Sequence, residues 1–288
     1  MSQVISINNL SKAYKKQQVL NNLSWEIRAG DVIGLLGKNG AGKSTLLKSI
    51  LNIEVVEQGT IEIFGENNQQ LSCTNKNKIG YVPQENDEIP WLSINDLVTL
   101  RKRFYDQWSD EKVAGLMQRW DIDGSKQVSE LSPGQMQKVL IMLALGPLPQ
   151  LLILDEPAAA LDPIARREFL KELVELACEE EISIIFSTHI TSDIERVANK
   201  VAVLDKGKIC YFDELDNFKE SVVNLSFTHT KGQALAIPHL LRSECQGNQT
   251  HCVVSAVDQS WLDQLASQDV SYHINQLGLE DIFMELTR

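Results

Sequence analysis

The chain has 288 residues, of which 43% are hydrophobic, and it carries a formal net charge of −12. This much apolar sequence can bury the core of one large domain and one small domain, which excludes a disordered protein. The acidic balance argues against a general nucleic-acid binder, because that class needs basic patches to displace counterions. The apolar runs are far shorter than the ~20 residues that cross a bilayer, so we expect no membrane span in the chain itself.

The first residues, MSQVISINNLSKAY, lack the charged and then apolar pattern of a secretory signal, so we expect a cytosolic protein. The cysteines include no C-x-x-C pair, which is typical of reduced thiols. His239, Cys245, His251 and Cys252 lie close together in sequence. Their spacing matches no common zinc-binding pattern, and we expect no metal there.

Two alternating segments, Val4–Leu10 and Trp25–Ile27, predict strands of an antiparallel flap joined by a polar turn. Tyr14 lies just before that turn, near two lysines. Its ring is either an ordinary, partly exposed strand aromatic or a surface that stacks on a base.

The next segment has the order strand, loop, helix. An apolar run, Asp31–Leu36, leads into GKNGAGKST at Gly37–Thr45, and a helical pattern follows over Thr45–Asn52. The loop matches G-x-x-x-x-G-K-[ST], and its context predicts a phosphate-binding loop. Kinases, GTPases and motor ATPases all share this loop, so it does not define the reaction.

The residue types in this loop explain how it would hold a phosphate. Glycines accept positive φ and let consecutive N–H groups turn inward, here Gly37, Gly40 and Gly42. The helix that begins there adds its positive dipole end. Lys43 supplies a charge for the outer phosphates, and the Ser44 hydroxyl is a ligand for Mg²⁺.

Beyond the loop, Gly59–Gly65 and Lys78–Pro83 read as short strands, and Gln84 directly follows the second. From Ser93 to Asp121 apolar residues recur at helical spacing. The apolar residues thus change from the alternating spacing of strands to the spacing of helices. This change predicts a helical sub-domain inserted at about residues 85–145.

A well-capped helix is predicted at LSPGQ, Leu131–Gln135, and continues to Leu145. Ser132 suits the N-cap, and Pro133 falls at the first helical position, where a missing N–H costs little. Taken alone, the segment indicates only a helix start.

Two carboxylates end the next strand, QLLILDE at Gln150–Glu156. Its run of aliphatic residues belongs in the middle of a parallel sheet, and ligands bind at the carboxyl ends of such strands. Asp155 can therefore hold Mg²⁺, and Glu156 can deprotonate a water that attacks a γ-phosphate.

The following elements complete the predicted sheet. A turn containing Asp162 leads to a helix over Ile164–Glu180, and a buried strand over Ile182–Ser187 is followed by Thr188 and His189. His189 is either a structural histidine or a group that senses the γ-phosphate. Closing strands are predicted at Val201–Asp205 and Lys208–Phe212, joined by a tight turn.

A second pattern begins at about Asp216 and predicts a small α/β appendage with no catalytic constellation. The predicted strands are Val222–Phe227, Cys252–Val257 and Ser271–Ile274, and the predicted helices are Gln233–Arg242, Trp261–Ala266 and Leu279–Thr287. We expect domains at residues 1–215 and 216–288.

Taken in order, GKNGAGKST, Gln84, LSPGQ, LLILDEP, Asp162 and His189 resemble the motifs of the ATP-binding cassette (ABC) family. The resemblance covers residues 3 to about 212, and LSPGQ discriminates, because other phosphate-loop enzymes lack it. It implies an α/β P-loop ATPase cassette with a parallel core sheet, an antiparallel β flap and a helical sub-domain. The implied cofactors are ATP and Mg²⁺.

The resemblance also implies roles for single residues. Those implied to be catalytic are Lys43, Gln84, Glu156 and His189, and the implied metal ligands are Ser44, Gln84 and Asp155. The implied nucleotide contacts are Tyr14, Gly37, Asn39, Gly40, Gly42, Lys43, Ser44, Thr45, Ser132, Gly134, Gln135 and Asp162.

The family further implies that two cassettes close head to tail around two ATP molecules, with LSPGQ of one covering the γ-phosphate held by the other. The second cassette is a further copy of this chain or a homologue. Pro133 departs from the family's usual glycine; it removes an amide donor and stiffens the loop.

The implied partners are integral membrane permease subunits, which dock on the helical insertion and hold the chain at the inner face of the cell membrane. No nucleic-acid partner is expected. The C-terminal LEDIFMELTR is similar to the endings of bacterial drug and antibiotic exporter cassettes, so export is favoured over import.

Two alternatives stay open from the sequence. One is a cassette that acts on ribosomes or DNA, although such relatives usually carry paired cassettes or long heptad arms. The other is a regulatory cassette that binds ATP and barely hydrolyses it, for which Pro133 is the reason.

Overall fold

The computed structural model describes residues 2–15, 17–85, 88–159, 161–180, 182–228, 237–246, 249–255, 260–263 and 271–288. The chain divides into two compact units, Met1–Phe212 and Asp213–Arg288. Each has an apolar core of its own.

The first unit begins with an antiparallel sheet whose strand order is β2-β1-β4-β5. Its strands are β1 (Gln3–Tyr14), β2 (Gln17–Arg28), β4 (Gln58–Ile63) and β5 (Glu66–Asn67). Alternate apolar side chains are buried along β2 and β4 because one face of the sheet packs on the core. This is the flap predicted from the alternating sequence.

The second sheet of this unit has six strands in the order β10-β9-β3-β8-β7-β6. They are β3 (Val32–Leu36), β6 (Ile79–Val82), β7 (Leu151–Leu154), β8 (Ser183–Thr188), β9 (Lys200–Asp205) and β10 (Lys208–Glu214). Strands β6, β7, β8, β3 and β9 pair in parallel. The parallel core sheet predicted from the aliphatic runs is therefore confirmed.

This topology brings the predicted site residues to one edge. The phosphate-binding loop follows β3, Gln84 follows β6, Asp155 and Glu156 follow β7, and His189 follows β8. Since these four strands are parallel neighbours, their carboxyl ends meet at the same edge of the sheet, where ligands bind in open α/β folds.

The helices of the first unit are α1 (Lys43–Ile50), α2 (Cys73–Lys76), α3 (Ile94–Lys102), α4 (Asp110–Arg119), α5 (Pro133–Leu145), α6 (Pro163–Glu180) and α7 (Thr191–Val197). Three of them, α3 to α5, lie between β6 and β7 in the sequence. Each of these three begins at a serine whose hydroxyl accepts a backbone N–H of the first turn: Ser93, Ser109 and Ser132.

The second unit contains helix α8 (Leu215–Glu220), an antiparallel sheet of order β12-β13-β11-β14, and a final helix at Leu279–Leu286. The strands are β11 (Val223–Thr228), β12 (Leu240–Gln246), β13 (Gln249–Val254) and β14 (Tyr272–Gln276). Residues 260–263 are helical, and the rest of the helix predicted there lies outside the described residues.

The predicted helix at Gln233–Arg242 is wrong at its end, where Leu240–Arg242 belong to β12. Residues 233–236 lie outside the described part of the chain. The helical preference of this short segment is outweighed by pairing of β12 along most of β13. In the described ranges, no helix combines the length and apolarity that a membrane span needs.

Candidate active site

The loop after β3 presents backbone amides rather than side chains. Gly42 is the N-cap residue of helix α1, and its φ of 104° is left-handed. The helix has no side-chain cap and no acidic residue in its first turn. A Cβ on Gly37 would lie 2.8 Å from the Leu204 carbonyl oxygen, so no residue with a side chain fits at this position. The first residues of α1 therefore line the cleft with no acidic side chain of their own turn to occupy the amides, as an anion site requires.

Lys43 is the buried cation of the site, with 5% of its surface exposed. Its Nζ donates to the Gly37 carbonyl at 2.9 Å and lies 3.1 Å from Oε1 of Glu156. In this structure the Lys43 ammonium is therefore paired with the carboxylate of Glu156. A phosphate in the loop would compete for the same charge.

Asp155 is buried at the end of β7 and accepts two hydroxyl hydrogen bonds on one oxygen. Ser44 Oγ donates to Oδ1 at 3.0 Å and Ser187 Oγ donates to it at 2.7 Å. The other oxygen, Oδ2, has no hydrogen-bond partner among the described residues, although it is shielded from solvent. A buried carboxylate oxygen without a donor, beside a serine hydroxyl, fits a hard cation such as Mg²⁺.

Glu156 links the loop to the end of β8. Its Oε2 lies 3.0 Å from Nδ1 of His189, and its backbone N–H donates to Ser187 Oγ at 2.8 Å. Its φ of 48° is in the left-handed region, which is rare for a residue with a side chain and clusters at functional sites. The Glu156 carboxylate therefore lies between the ammonium of Lys43 and the imidazole of His189.

These groups surround a cleft of about 610 Å³. Of the residues singled out in the sequence, the cleft is lined by Asn39, Gly40, Gly42, Lys43, Ser44, Thr45, Gln84, Glu156 and His189. Two further lining residues, Val19 and Ala159, carry no sequence signal of their own. Gly37 and Asp155 contact the lining residues Lys43 and Ser44.

Tyr14 and LSPGQ do not line this cleft. The Tyr14 ring is exposed, with Lys12 Nζ 4.9 Å from its centroid. Ser132 and Gln135 form a reciprocal capping box at the start of α5, with Ser132 Oγ accepting at 3.3 Å and Gln135 Oε1 at 3.0 Å. Gly134 lies within the first turn of α5, beside Leu161.

Asp162 also lies outside the lining of the cleft and caps α6. Its Oδ1 accepts from the Ile164 amide at 2.9 Å and from the Ala165 amide at 3.1 Å. In the described residues, no group of three or more His, Cys, Asp or Glu side chains is arranged to hold a metal ion.

Two residues near Asp155 were missed by the sequence analysis. Ser187 bridges Asp155 and the Glu156 amide, but a serine inside a buried strand has no distinguishing pattern. Tyr81 on β6 has a buried hydroxyl without a hydrogen-bond partner among the described residues. Burial, reinforced by the charge of Asp155, raises the pKa of Tyr81 to about 12, so its phenol stays neutral.

Comparison with known proteins gives a consistent result. The model of the ABC transporter family matches residues 20–159. The ABC transporter ATP-binding protein YtrB of Bacillus subtilis is 31% identical over 81% of this chain and 80% of its own length. The Fe(3+) ions import ATP-binding protein FbpC 2 of Haemophilus influenzae is 31% identical over 84% of this chain and 70% of its own.

One relative aligns over the whole sequence. The Nod factor export ATP-binding protein I of Cupriavidus metallidurans is 28% identical over 100% of this chain and 98% of its own. Among solved structures, the ATP-binding subunit of an ABC transporter superposes with a TM-score of 0.67 and 28% identity, over 75% of this chain and 92% of that chain. A dimeric cassette in a post-hydrolysis state with ADP and phosphate, 23% identical, gives a TM-score of 0.65 over 73% and 98%.

Proposed function

The chain belongs to the family of ABC transporter ATP-binding proteins and is an ATPase, and we propose that it powers export through separate membrane-spanning subunits. The proposal includes a dimer of cassettes closed around two ATP molecules, each with Mg²⁺. It also places the chain on the cytoplasmic face of the membrane, held there by its partner subunits.

The observation that carries the hydrolytic part is the position of Glu156. Its carboxylate lies at the end of a parallel strand, in the cleft, within 3.1 Å of Lys43 Nζ and 3.0 Å of His189 Nδ1. A γ-phosphate that pairs with Lys43 would replace Glu156 as the partner of the ammonium. The Glu156 carboxylate would then be free to accept the proton of an attacking water. His189 is then placed to contact the γ-phosphate or to hold Glu156.

Magnesium fits the same edge of the site. We assign Ser44 and Asp155 to the metal, with Gln84, which also lines the cleft, completing the ligand set. Bound there, Mg²⁺ would neutralise charge on the β- and γ-phosphates. The loop amides and Lys43 would hold the phosphates in place for in-line attack.

Replacing Glu156 with Gln tests the assignment of the base. The amide keeps the shape of the carboxylate but accepts no proton, so we expect hydrolysis to fall roughly 100-fold or more while ATP binding remains. The variant should accumulate as an ATP-bound dimer in size-exclusion chromatography. Glu195→Gln, at an exposed position of α7, is the matched control. Hydrolysis by Glu156→Gln at the control rate would refute the role of this residue.

The trans arrangement rests on α5. The start of α5 does not line the chain's own cleft, and a second cassette would use it to cover a γ-phosphate. Pro133 at the first helical position removes one donor from that surface. The proposed second cassette is another copy of this chain or a homologue.

The membrane partner is supported by the surface of the helical sub-domain. A groove of about 430 Å³ beside α3 and α5 is lined in part by Glu88, Arg101 and Tyr105. Two large aromatics of the same region, Trp91 and Phe104, are 71% and 73% exposed. We propose these two side chains as contacts for the membrane-spanning subunits.

Purification of the tagged chain from detergent-solubilised membranes should recover integral membrane chains. Recovery of ribosomal or DNA-bound proteins instead would overturn the transporter assignment. Export is supported by the exporter relative that aligns over the whole chain, including the second unit. Deleting the gene should therefore lower tolerance to a toxic compound; impaired growth on a scarce nutrient with unchanged tolerance would indicate import.

A further inference from the structure

We propose that Arg166 and Asp193 form a positioning pair that connects the Asp162 turn to His189. The pair makes the orientation of His189 depend on the start of α6. The inference rests on the proposed function, since it concerns how His189 is held for hydrolysis. Neither Arg166 nor Asp193 lines the cleft itself.

Asp193 is the centre of this connection. It is a carboxylate with 3% of its surface exposed, near the start of α7. Arg166 approaches it with two nitrogens, Nε donating to Oδ1 at 2.8 Å and Nη2 donating to Oδ2. The Thr188 hydroxyl donates to Oδ2 at 3.0 Å. The planar fork of arginine fixes both partners in orientation as well as in distance.

Thr188 extends the connection to the histidine. Its hydroxyl donates to Asp193 and accepts from the Ile190 amide at 3.1 Å, so the residue before His189 is hydrogen-bonded to two residues after it. With its neighbours fixed, the His189 ring is directed to Glu156, where Nδ1 lies 3.0 Å from Oε2. Second-layer contacts of this kind commonly orient a functional imidazole.

Arg166 extends the connection in the other direction. Its backbone N–H donates to the Asp162 carbonyl at 2.8 Å, and Asp162 caps the same turn through Oδ1. The first turn of α6 therefore moves with Asp162 as one hydrogen-bonded piece. A displacement of the Asp162 turn is transmitted through Arg166 and Asp193 to the backbone that carries His189.

A simple ion pair between α6 and α7 would stabilise the fold without acting on His189, and a double-mutant cycle separates the two roles. We expect Asp193→Asn to lower kcat roughly 10- to 100-fold with the KM for ATP within about twofold of wild type, because a slightly misplaced group is costly for the reaction and not for binding. In a His189→Ala background the same substitution should change kcat less than about twofold.

Thr188 provides a matched pair that keeps the ion pair intact. Thr188→Val has the shape of threonine without the hydroxyl and should lower kcat, whereas Thr188→Ser retains the hydroxyl and should restore at least about half of wild-type kcat. Equal losses for Val and Ser, or equal losses from Asp193→Asn with and without His189, would overturn the inference.

A second readout does not depend on hydrolysis. In histidine-labelled full-length protein, the ring resonances of His189, assigned by their loss in His189→Ala, should shift in Asp193→Asn while those of His251 and His273 do not. A wild-type chain that hydrolyses no ATP would overturn the proposed function but leave this result standing. Unmoved His189 resonances would overturn the positioning pair whatever the activity.

Discussion

Two serines of the first unit are fully buried but differ in what their hydroxyls contact. Ser187 donates to Asp155 and accepts from the Glu156 amide, whereas the Ser49 hydroxyl has no partner among the described residues. Ser187→Ala removes the partner of the Glu156 amide and a donor to the buried Asp155 carboxylate, and should lower the free energy of unfolding by about 1–3 kcal/mol. Ser49→Ala removes a buried hydroxyl that makes no hydrogen bond, and should leave stability unchanged or raise it.

Chemical denaturation of the two variants measures this difference, and ATP hydrolysis by Ser187→Ala should fall with it because Asp155 and Glu156 lose a shared contact. Equal stability of the two variants would contradict the role given to the Ser187 hydroxyl.

At this scale, sequence reasoning located Lys43, Asp155 and Glu156, since a glycine loop and paired acids at a strand end are recognisable patterns. It missed Ser187, because its role arises from the neighbouring strand β7 and not from its own segment.

At the scale of the element, helix α6 carries a partly buried carboxylate, Glu172, whose charged form is destabilised by burial. Glu172 receives a long contact from Lys138 Nζ, 3.4 Å from Oε1, and its Oε2 has no hydrogen-bond partner in the described structure. Burial raises the pKa of Glu172, and the nearby Lys138 and Arg119 only partly offset this. The proton is therefore bound more tightly in the folded state than in the unfolded state.

A raised folded-state pKa adds stability below the unfolded pKa, near 4.5, and that stability is lost as pH rises through the folded value. Glu172→Gln, which stays neutral, should therefore raise the free energy of unfolding at pH 7 and leave it unchanged near pH 4. Thermal unfolding at both pH values measures this, with exposed Glu62→Gln as the control. A gain at pH 4 equal to that at pH 7 would mean that packing, not charge, is responsible.

Elements with strong local signals were predictable, and those fixed by pairing were not. The start of α5 at Pro133 follows from its serine cap and proline, and β7 follows from its aliphatic run. Strand β12 has no such pattern: the side chains of residues 240–245 are exposed, and the segment is a strand because β13 pairs with it. The sequence could not supply that partner.

At the scale of the whole molecule, the two units have separate apolar cores, and the residues that line the nucleotide cleft all belong to the first. The sequence predicted a small α/β unit beginning near Asp216, but no catalytic or binding residues within it. If the two units unfold independently, a ligand that binds one of them stabilises that unit alone, by about 2.7 kcal/mol at a hundred times its Kd. Nucleotide binding is therefore a means of telling the units apart.

In calorimetry of the full chain, we expect ADP with Mg²⁺ to raise the unfolding temperature of the first unit by roughly 5–10 °C and to leave a second, smaller transition in place. ADP is chosen because it is not consumed during the scan. Lys43→Ala, which lacks the buried ammonium of the loop, should abolish the shift. If the chain instead unfolds in one transition that moves as a whole with ADP, the units are energetically coupled, and the second must then be treated as part of the cassette's cooperative core.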